Sequence, residues 1–129
     1  MSNLKWYNIF VIGTYILHYY TSVQGDNPVD KFLDSLSEKQ QAKILRVFQY
    51  IQKYGLTSIL PHTKKISGTP LWEIRILGQD NIRTIYAIFS QNTVVIFHGF
   101  IKKKQKTPLR EINIALSRYQ EWKLRHIDK

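Results

Sequence analysis

Four lysines fall within five consecutive residues in the second half of the sequence, in the order Lys102, Lys103, Lys104, Gln105 and Lys106. Ammonium groups are hydrogen-bond donors and point charges without acceptors, so a phosphate is their natural ligand. A lysine run of this kind is most often a solvated charged loop. Here the run lies between a strand-like stretch and a helix start, and a loop fixed at both ends holds its charges in place. It therefore predicts a phosphate-binding loop.

Two arginines, Arg75 and Arg83, stand in neighbouring strand-like runs upstream of the lysines. A guanidinium can present a planar fork to a phosphate. Arg75 has an equally good alternative, a salt bridge to its same-face neighbour Glu73, whereas Arg83 has no acid at that spacing. A hairpin loop of three or five residues would place both arginines on one face, and a loop of four would place them on opposite faces.

The histidines do not have the spacing of a metal site. They are His18, His62, His98 and His126. Without an HxxxH or HExxH pattern, and with few carboxylates, we expect no structural or catalytic metal and no cofactor. His98 shares its alternation parity with Ile96 and Phe100, which favours a hydrogen-bonded core histidine over a general base. GxSxG, Walker and GxGxxG patterns are absent, which excludes hydrolase-elbow, P-loop and dinucleotide sites.

The overall composition fits a single basic globular domain. The 129 residues are 43% hydrophobic and contain no cysteine, which excludes a disulfide framework, a zinc finger and a thiol nucleophile. The formal net charge is +10, and residues 61–129 carry 13 basic and 5 acidic residues, a net charge of +8. A polyanion that binds the second half of the chain is the expected partner.

The first half of the sequence predicts one strand and two helices. The apolar stretch from Trp6 to Tyr20 is interrupted by polar residues and lacks a cleavage site, which disfavours a signal peptide or a membrane span. We expect a strand over residues 15–21, with residues 1–14 as an added strand or an overextended reading frame. Apolar residues at helical spacing predict a short helix over residues 29–36. A longer helix, capped by Ser37 and Gln40, is predicted to end near Gly55.

The second half predicts a sheet followed by a helix. The segment 56–70 shows no clear period and is predicted to be a loop, and three strand-like runs follow over residues 71–77, 82–89 and 93–100. Their short polar connections predict an antiparallel meander. Thr107 and Pro108 are placed as the N-cap and first residue of a last helix. The order strand, two helices, three strands and helix indicates an α+β fold in one domain over residues 1–129.

Several segments together resemble a known family. They are "NPVDKFLDSL", "LWEIRIL" followed by "IRTIYAIF", and "VVIFHGFIKKKQKTPLREINIALSR". From about Tyr15 to about Tyr119 the chain resembles the RelE/ParE superfamily of bacterial toxins, specifically its HigB-like, phage-related branch. The most specific piece is HGF followed by the lysine cluster, Thr-Pro and an amphipathic helix. The resemblance implies two N-terminal helices and a C-terminal helix packed on a small twisted antiparallel sheet.

The resemblance also implies a function. The chain would be the toxin of a type II toxin-antitoxin pair, a cytoplasmic mRNA interferase that cuts messenger RNA on the translating ribosome by metal-independent attack of a ribose 2′-hydroxyl. Its implied partners are the ribosome, messenger RNA and a cognate HigA-like helix-turn-helix antitoxin, and no membrane.

The site residues carried over by the resemblance form two groups. Arg83 matches the strand arginine at the scissile phosphate, and the lysines of the basic loop would act with it in catalysis: Lys102, Lys103, Lys104 and Lys106. Further RNA-binding residues are expected at Arg75, Lys64, Lys65 and Arg110. Residues 109–115 lack the tyrosine that some relatives place after the basic loop, so the general base stays open between a lysine of lowered pKa, Glu73 and His98.

Two alternatives to a ribosome-dependent nuclease remain. One is a ParE-like gyrase poison, which would break DNA and leave messenger RNA intact; the HGF and lysine segment argues against it. The other is a non-catalytic nucleic-acid-binding or ribosome-binding module, in which the same charges give salt-dependent affinity without cleavage.

Overall fold

The structure is a computed structural model that describes residues 15–76, 78, 81–90, 92–103 and 105–126. The expectations for residues 1–14 and for Lys104 fall outside the described residues. The described chain has an α+β fold with five strands, three α-helices and one 3₁₀-helix. In chain order the elements are β1 (Ile16–Tyr19), α1 (Pro28–Asp34), α2 (Glu38–Tyr54), η1 (Leu56–His62), β2 (Thr63–Lys65), β3 (Trp72–Arg75), β4 (Ile82–Phe89), β5 (Thr93–Ile101) and α3 (Leu109–Arg125).

The five strands form one mixed sheet in the order β1-β5-β4-β3-β2. Strands β2 to β5 pair antiparallel, as the short connections predict, but β1 pairs parallel with β5. The expectation of a purely antiparallel sheet is therefore wrong at this edge. A parallel pair needs a long crossover between its strands, and here α1, α2, η1 and the other three strands lie between β1 and β5 in the sequence.

The segment 56–70 is structured, contrary to its reading as a loop. It contains η1 and the three-residue edge strand β2, whose Lys64 is paired opposite Glu73 of β3. Three residues are too few to show the alternation by which strands are recognised in a sequence.

The helix starts confirm one capping prediction and correct another. Ser37 and Gln40 form the predicted capping box at the start of α2, and each side chain bonds to the other's backbone N–H. Pro108, rather than Thr107, is the N-cap residue of α3, which begins at Leu109. Thr107 does not cap the helix because its hydroxyl donates a hydrogen bond to the Glu73 carboxylate instead.

Two hydrophobic clusters cover the two faces of the sheet. On one face, α1 and α2 pack through residues such as Leu33, Ile44 and Phe48. On the other face, Ala115 and neighbouring residues of α3 pack on β4 and β5, where Phe97 is fully buried. No helix in the described part of the chain has the length and apolar character needed to cross a membrane.

A β-bulge in β5 changes which side chains face α3. Ile85 is paired with His98, but the next residue, Tyr86, is paired with Ile96, so Phe97 is an extra residue in β5. His98 therefore faces α3, whereas Ile96 belongs to the cluster under α1 and α2. The parity that the sequence assigned to His98 and Ile96 is wrong, because one inserted residue inverts the alternation beyond it.

Gly99 is the position at which α1 approaches the sheet most closely. A Cβ atom at residue 99 would collide with the aromatic ring of Phe32 in α1. The glycine of the HGF segment is thus explained by packing.

Replacing Gly99 with alanine is expected to lower the free energy of unfolding by about 1–3 kcal/mol, because the Phe32 ring must leave a packed position. Denaturant titration measures the change. In a double-mutant cycle, adding Phe32→Leu to Gly99→Ala should recover part of the loss, because leucine lacks the ring atoms that the new methyl group meets. Strictly additive effects would show that this contact does not limit the packing.

Candidate functional site

A cavity of about 180 Å³ lies at the end of the sheet where β3 stops and β4 starts. Residues from η1, from three strands and from the start of the basic loop line it: His62, Thr63, Lys64, Glu73, Arg75, Arg83 and Lys102. Four of these residues are cations that the sequence predicts to contact phosphate. Lys64, Arg75 and Arg83 lie on strands, and Lys102 is the first lysine of the basic loop.

The two arginines sit directly opposite each other. Arg75 of β3 is paired with Arg83 of β4, and residues opposite one another in an antiparallel pair point to the same face. This settles the question that loop length left open. Arg75 is exposed, whereas Arg83 is buried with 8% of its surface accessible. The site therefore combines one fixed guanidinium with one that is free to meet a ligand from solvent.

Glu73 holds Arg83 in place. Its Oε1 lies 3.8 Å from Arg83 Nε, and Arg83 Nη1 donates to the carbonyl of Ile82 at 3.2 Å. Burial lowers the pKa of Arg83, the nearby Glu73 charge opposes this shift, and Arg75 adds to it. In the sequence, a salt bridge to Glu73 was one of two equally good alternatives for Arg75. That alternative is wrong for the described residues, since the acid reaches its diagonal neighbour on the adjacent strand instead.

The basic loop divides around the cavity. Lys102 is half-buried, lines the cavity, and is tied to the sheet by its backbone N–H, which donates to the Asn81 carbonyl at 2.8 Å. Lys103 and Lys106 are exposed and lie outside the cavity lining. Thr107 closes the loop through its hydrogen bond to Glu73. The loop is thus anchored at both ends, as expected.

The remaining predicted RNA-binding residues lie in three places. Lys64 is exposed and lines the cavity. Lys65 follows it on the opposite face of β2, where its Nζ is 5.5 Å from the centroid of the Trp72 ring. Arg110 lies on α3 with 83% of its side chain exposed, 3.5 Å from the Glu111 carboxylate. The cavity therefore brings together Lys64, Arg75 and Arg83, and it does not include Lys65 or Arg110.

His98 is a buried, hydrogen-bonded histidine between β5 and α3. Its Nε2 lies 2.6 Å from Glu111 Oε1, and its Nδ1 lies 3.2 Å from Arg118 Nη1. Because arginine only donates, Nδ1 accepts, and the neutral ring carries its hydrogen on Nε2, which donates to Glu111. Burial lowers the pKa of His98; Arg118 and Arg110 also lower it, while Glu111 raises it. Both ring nitrogens are engaged, and the residue is outside the cavity lining.

The lowered pKa of His98 predicts a pH dependence of stability. The folded protein keeps the ring neutral to a lower pH than the unfolded chain does, so below the ordinary value of about 6.5 the unfolded chain binds a proton first. The free energy of unfolding should therefore fall as the pH drops from 7.5 to 5.5. Denaturant titrations across this range should show that the free energy of unfolding falls less steeply with decreasing pH in His98→Gln than in wild type. An equal pH dependence in the two proteins would contradict a lowered pKa of His98.

Sequence reasoning missed two parts of this site. His62 lines the cavity, but it stands at the end of a 3₁₀-helix inside a segment without period. The contact from Thr107 to Glu73 joins residues that are 34 positions apart. A clue to this contact was present, since Glu73 lies on a buried strand and an isolated buried carboxylate needs hydrogen-bond donors.

Comparison with known proteins identifies the family. No curated protein matches the chain. The sequence profile of the family described as "Phage derived protein Gp49-like (DUF891)" matches residues 31–120, which is more than half of the chain and includes every residue that lines the cavity. This family is part of the RelE/ParE-like toxin group. The chain therefore belongs to the Gp49-like family of phage-derived, RelE-type toxin proteins.

Proposed function

We propose that the protein is the toxin of a type II toxin-antitoxin pair, of the HigB-like kind, and that it cleaves messenger RNA on the ribosome. The observation that carries the proposal is the cavity in which the cations Lys64, Arg75, Arg83 and Lys102 surround one carboxylate, Glu73. A phosphodiester carries the charge that these cations attract, and the carboxylate is a group that can act as a proton acceptor.

The chemistry is an intramolecular transfer at phosphorus. The ribose 2′-hydroxyl loses its proton to a base, the bond from its oxygen to phosphorus forms, and the bond from phosphorus to the 5′-oxygen of the next nucleotide breaks. The products are a 2′,3′-cyclic phosphate and a 5′-hydroxyl, so the leaving oxygen must receive a proton. No redox or metal-bound step is needed, and the demand on the protein is charge stabilisation and proton transfer.

The lining residues can divide these tasks among themselves. Arg83 is held by Glu73 and the Ile82 carbonyl, so its guanidinium is already oriented when the phosphate arrives. Arg75, opposite it, can bind a second phosphate oxygen. Lys102 stands at the same cavity with an ammonium that can donate the proton to the leaving oxygen. The exposed Lys103, Lys106 and Arg110 are left to contact the RNA or ribosomal backbone.

Between Glu73 and His98, the geometry favours Glu73 as the proton acceptor, although His62 also lines the cavity. It lines the cavity, whereas His98 lies outside the lining and uses both ring nitrogens. A carboxylate has about four acceptor sites. Two neighbours occupy only part of this capacity, namely Thr107, which donates to Oε2, and Arg83, which is near Oε1.

The partner and location follow from the same proposal. A HigA-like helix-turn-helix antitoxin with an acidic or amphipathic segment would neutralise the basic face of the toxin, and messenger RNA on ribosomes would be met in the cytoplasm.

A brief pulse of expression followed by primer-extension mapping of transcripts tests the function. We expect translation to stop and new 5′ ends to accumulate within translated regions, with 5′-hydroxyl termini. DNA breakage with intact transcripts would replace the proposal with a gyrase poison. Salt-dependent binding without new ends would replace it with a non-catalytic RNA-binding module.

A further inference from the structure

A second cavity, of about 350 Å³, adjoins the first one across the end of β3. We call it the α2 groove, because one face of α2 supplies Lys43, Arg46, Val47 and Tyr50, at the i, i+3, i+4 and i+7 spacing of a helix surface. The opposite wall comes from η1 and from the end of β3. Its volume is in the range of small-ligand sites.

The α2 groove shares two residues with the first cavity, which Arg83 lines. His62 and Arg75 line both of them, so the two cavities adjoin at these side chains. Arg83 and Glu73 lie on the sheet face that carries α3, whereas Ile76 belongs to the cluster under α1 and α2. A strand of RNA that contacts both cavities would therefore contact residues from both faces of the sheet.

The floor and the rim of the groove differ in chemistry. Val47, Ile59 and Ile76 supply apolar surface. Lys43 and Arg46 join Arg75 at the rim as cations, and no acidic side chain is among the described residues that line the groove. The Lys43 ammonium lies beside Gly78, close to where a Cβ atom of a larger residue would be, and Gly78 has a φ of 132°. An apolar floor between cations matches a nucleotide, whose base is flat and apolar on its faces and whose phosphates are anionic.

Tyr50 provides the surface on which a base can stack. It lines the groove and is 47% exposed, which is a large fraction for an aromatic residue on a packed helix. Stacking on an aromatic ring accepts every base, so this contact would add affinity without a strict sequence preference.

We propose that the α2 groove holds the nucleotide next to the scissile phosphate, with its base against Tyr50 and its phosphate at Arg46 and Lys43. This inference rests on the proposed function and deepens it, since it makes the substrate a single strand that wraps around the end of β3.

The test measures binding of a 2′-O-methyl RNA hexanucleotide, which cannot be cleaved because its 2′-oxygens are blocked. Tyr50→Ala should weaken its binding about 5- to 100-fold, the loss expected for one stacked base. Leu45→Ala is the matched control, because Leu45 is 42% exposed on α2 and is outside the groove lining. Its effect should stay below about twofold, the expectation for a base that stacks on Tyr50 alone.

A second measurement separates electrostatic contact from stacking. Arg46→Ala should reduce the slope of log affinity against log salt by about 0.7, the value for one phosphate contact on a single strand. Lys39→Ala removes an exposed cation of α2 that does not line the groove, and it should leave the slope unchanged.

The outcomes distinguish the groove from the cleavage site. Binding that depends on Arg83 but responds equally to Tyr50→Ala and Leu45→Ala would overturn the groove proposal and leave the nuclease proposal standing. Binding that needs Tyr50, from a protein whose expression leaves transcripts intact, would support the groove and overturn cleavage. If an acidic amphipathic peptide shields Tyr50 from solvent and the hexanucleotide does not, the groove would not be an RNA site.

Discussion

Arg83→Ala is expected to lower the rate of messenger RNA cleavage about 10²- to 10³-fold, the typical cost of losing one preorganised donor at a developing charge. The guanidinium is buried to 8% accessibility and is fixed by Glu73 and the Ile82 carbonyl, so it needs little reorganisation in the transition state. In cells, the variant should relieve growth arrest, and primer extension should show few new transcript ends.

Two further variants show whether the lower cleavage rate comes from the guanidinium of Arg83 or from the loss of a positive charge in general. Arg83→Lys keeps a positive charge beside Glu73 but loses the planar fork, so its rate should lie between wild type and Arg83→Ala. Lys65→Ala removes a cation on the opposite face of β2 and should change the rate by less than about threefold, because an exposed charge there contributes only general attraction.

Stability must be measured alongside activity for these variants. Removing Arg83 leaves the buried Glu73 carboxylate with the Thr107 hydroxyl as its remaining side-chain donor among the described residues. We expect a loss of about 1–3 kcal/mol in the free energy of unfolding. An Arg83→Ala protein that is folded and still arrests growth like wild type would remove Arg83 from the site.

The parts of the fold that the sequence predicts are those set by local chemistry. The Ser37 and Gln40 capping box and the apolar stripe through Ile44 and Phe48 are local patterns, and α2 follows them from Glu38 to Tyr54. The parallel pairing of β1 with β5 depends on where a distant strand leaves a free edge, and no residue near β1 encodes that choice. The bulge at Phe97 is equally invisible in alternation and reversed the face assigned to His98 relative to Ile96.

The same division applies to the site. The joint role of Arg83 and Lys102 was implied by the family resemblance and stays a prediction, and the two residues line one cavity. A salt bridge from Glu73 to Arg75 was one of two alternatives for that arginine, because spacing within one strand was the only guide, whereas the observed ion pair crosses diagonally to β4. The roles of Lys103 and Lys106 remain predictions, and neither residue is among those that line the cavity.

Glu73→Gln is expected to lower the cleavage rate about 10²- to 10⁴-fold, which is the usual contribution of a positioned general base. Glutamine has nearly the same shape, and its amide oxygen can still accept from the Thr107 hydroxyl, but it cannot take a proton from the ribose 2′-hydroxyl. Single-turnover cleavage on programmed ribosomes measures the chemical step, and thermal unfolding checks that the variant is folded.

Thr107→Val is the matched control for this role, because it removes the hydrogen bond to Glu73 and leaves the carboxylate in the cavity. If Glu73 takes the proton, Thr107→Val should cost less than about tenfold while Glu73→Gln costs at least 10²-fold. If Glu73 only positions Arg83 and the loop, both variants should lose activity to a similar, modest degree. An equal effect would therefore remove Glu73 as the general base and leave a lysine, His98 or His62 for that role. The comparison isolates proton transfer from positioning, since Thr107 takes part only in positioning and the Glu73 carboxylate would take part in both.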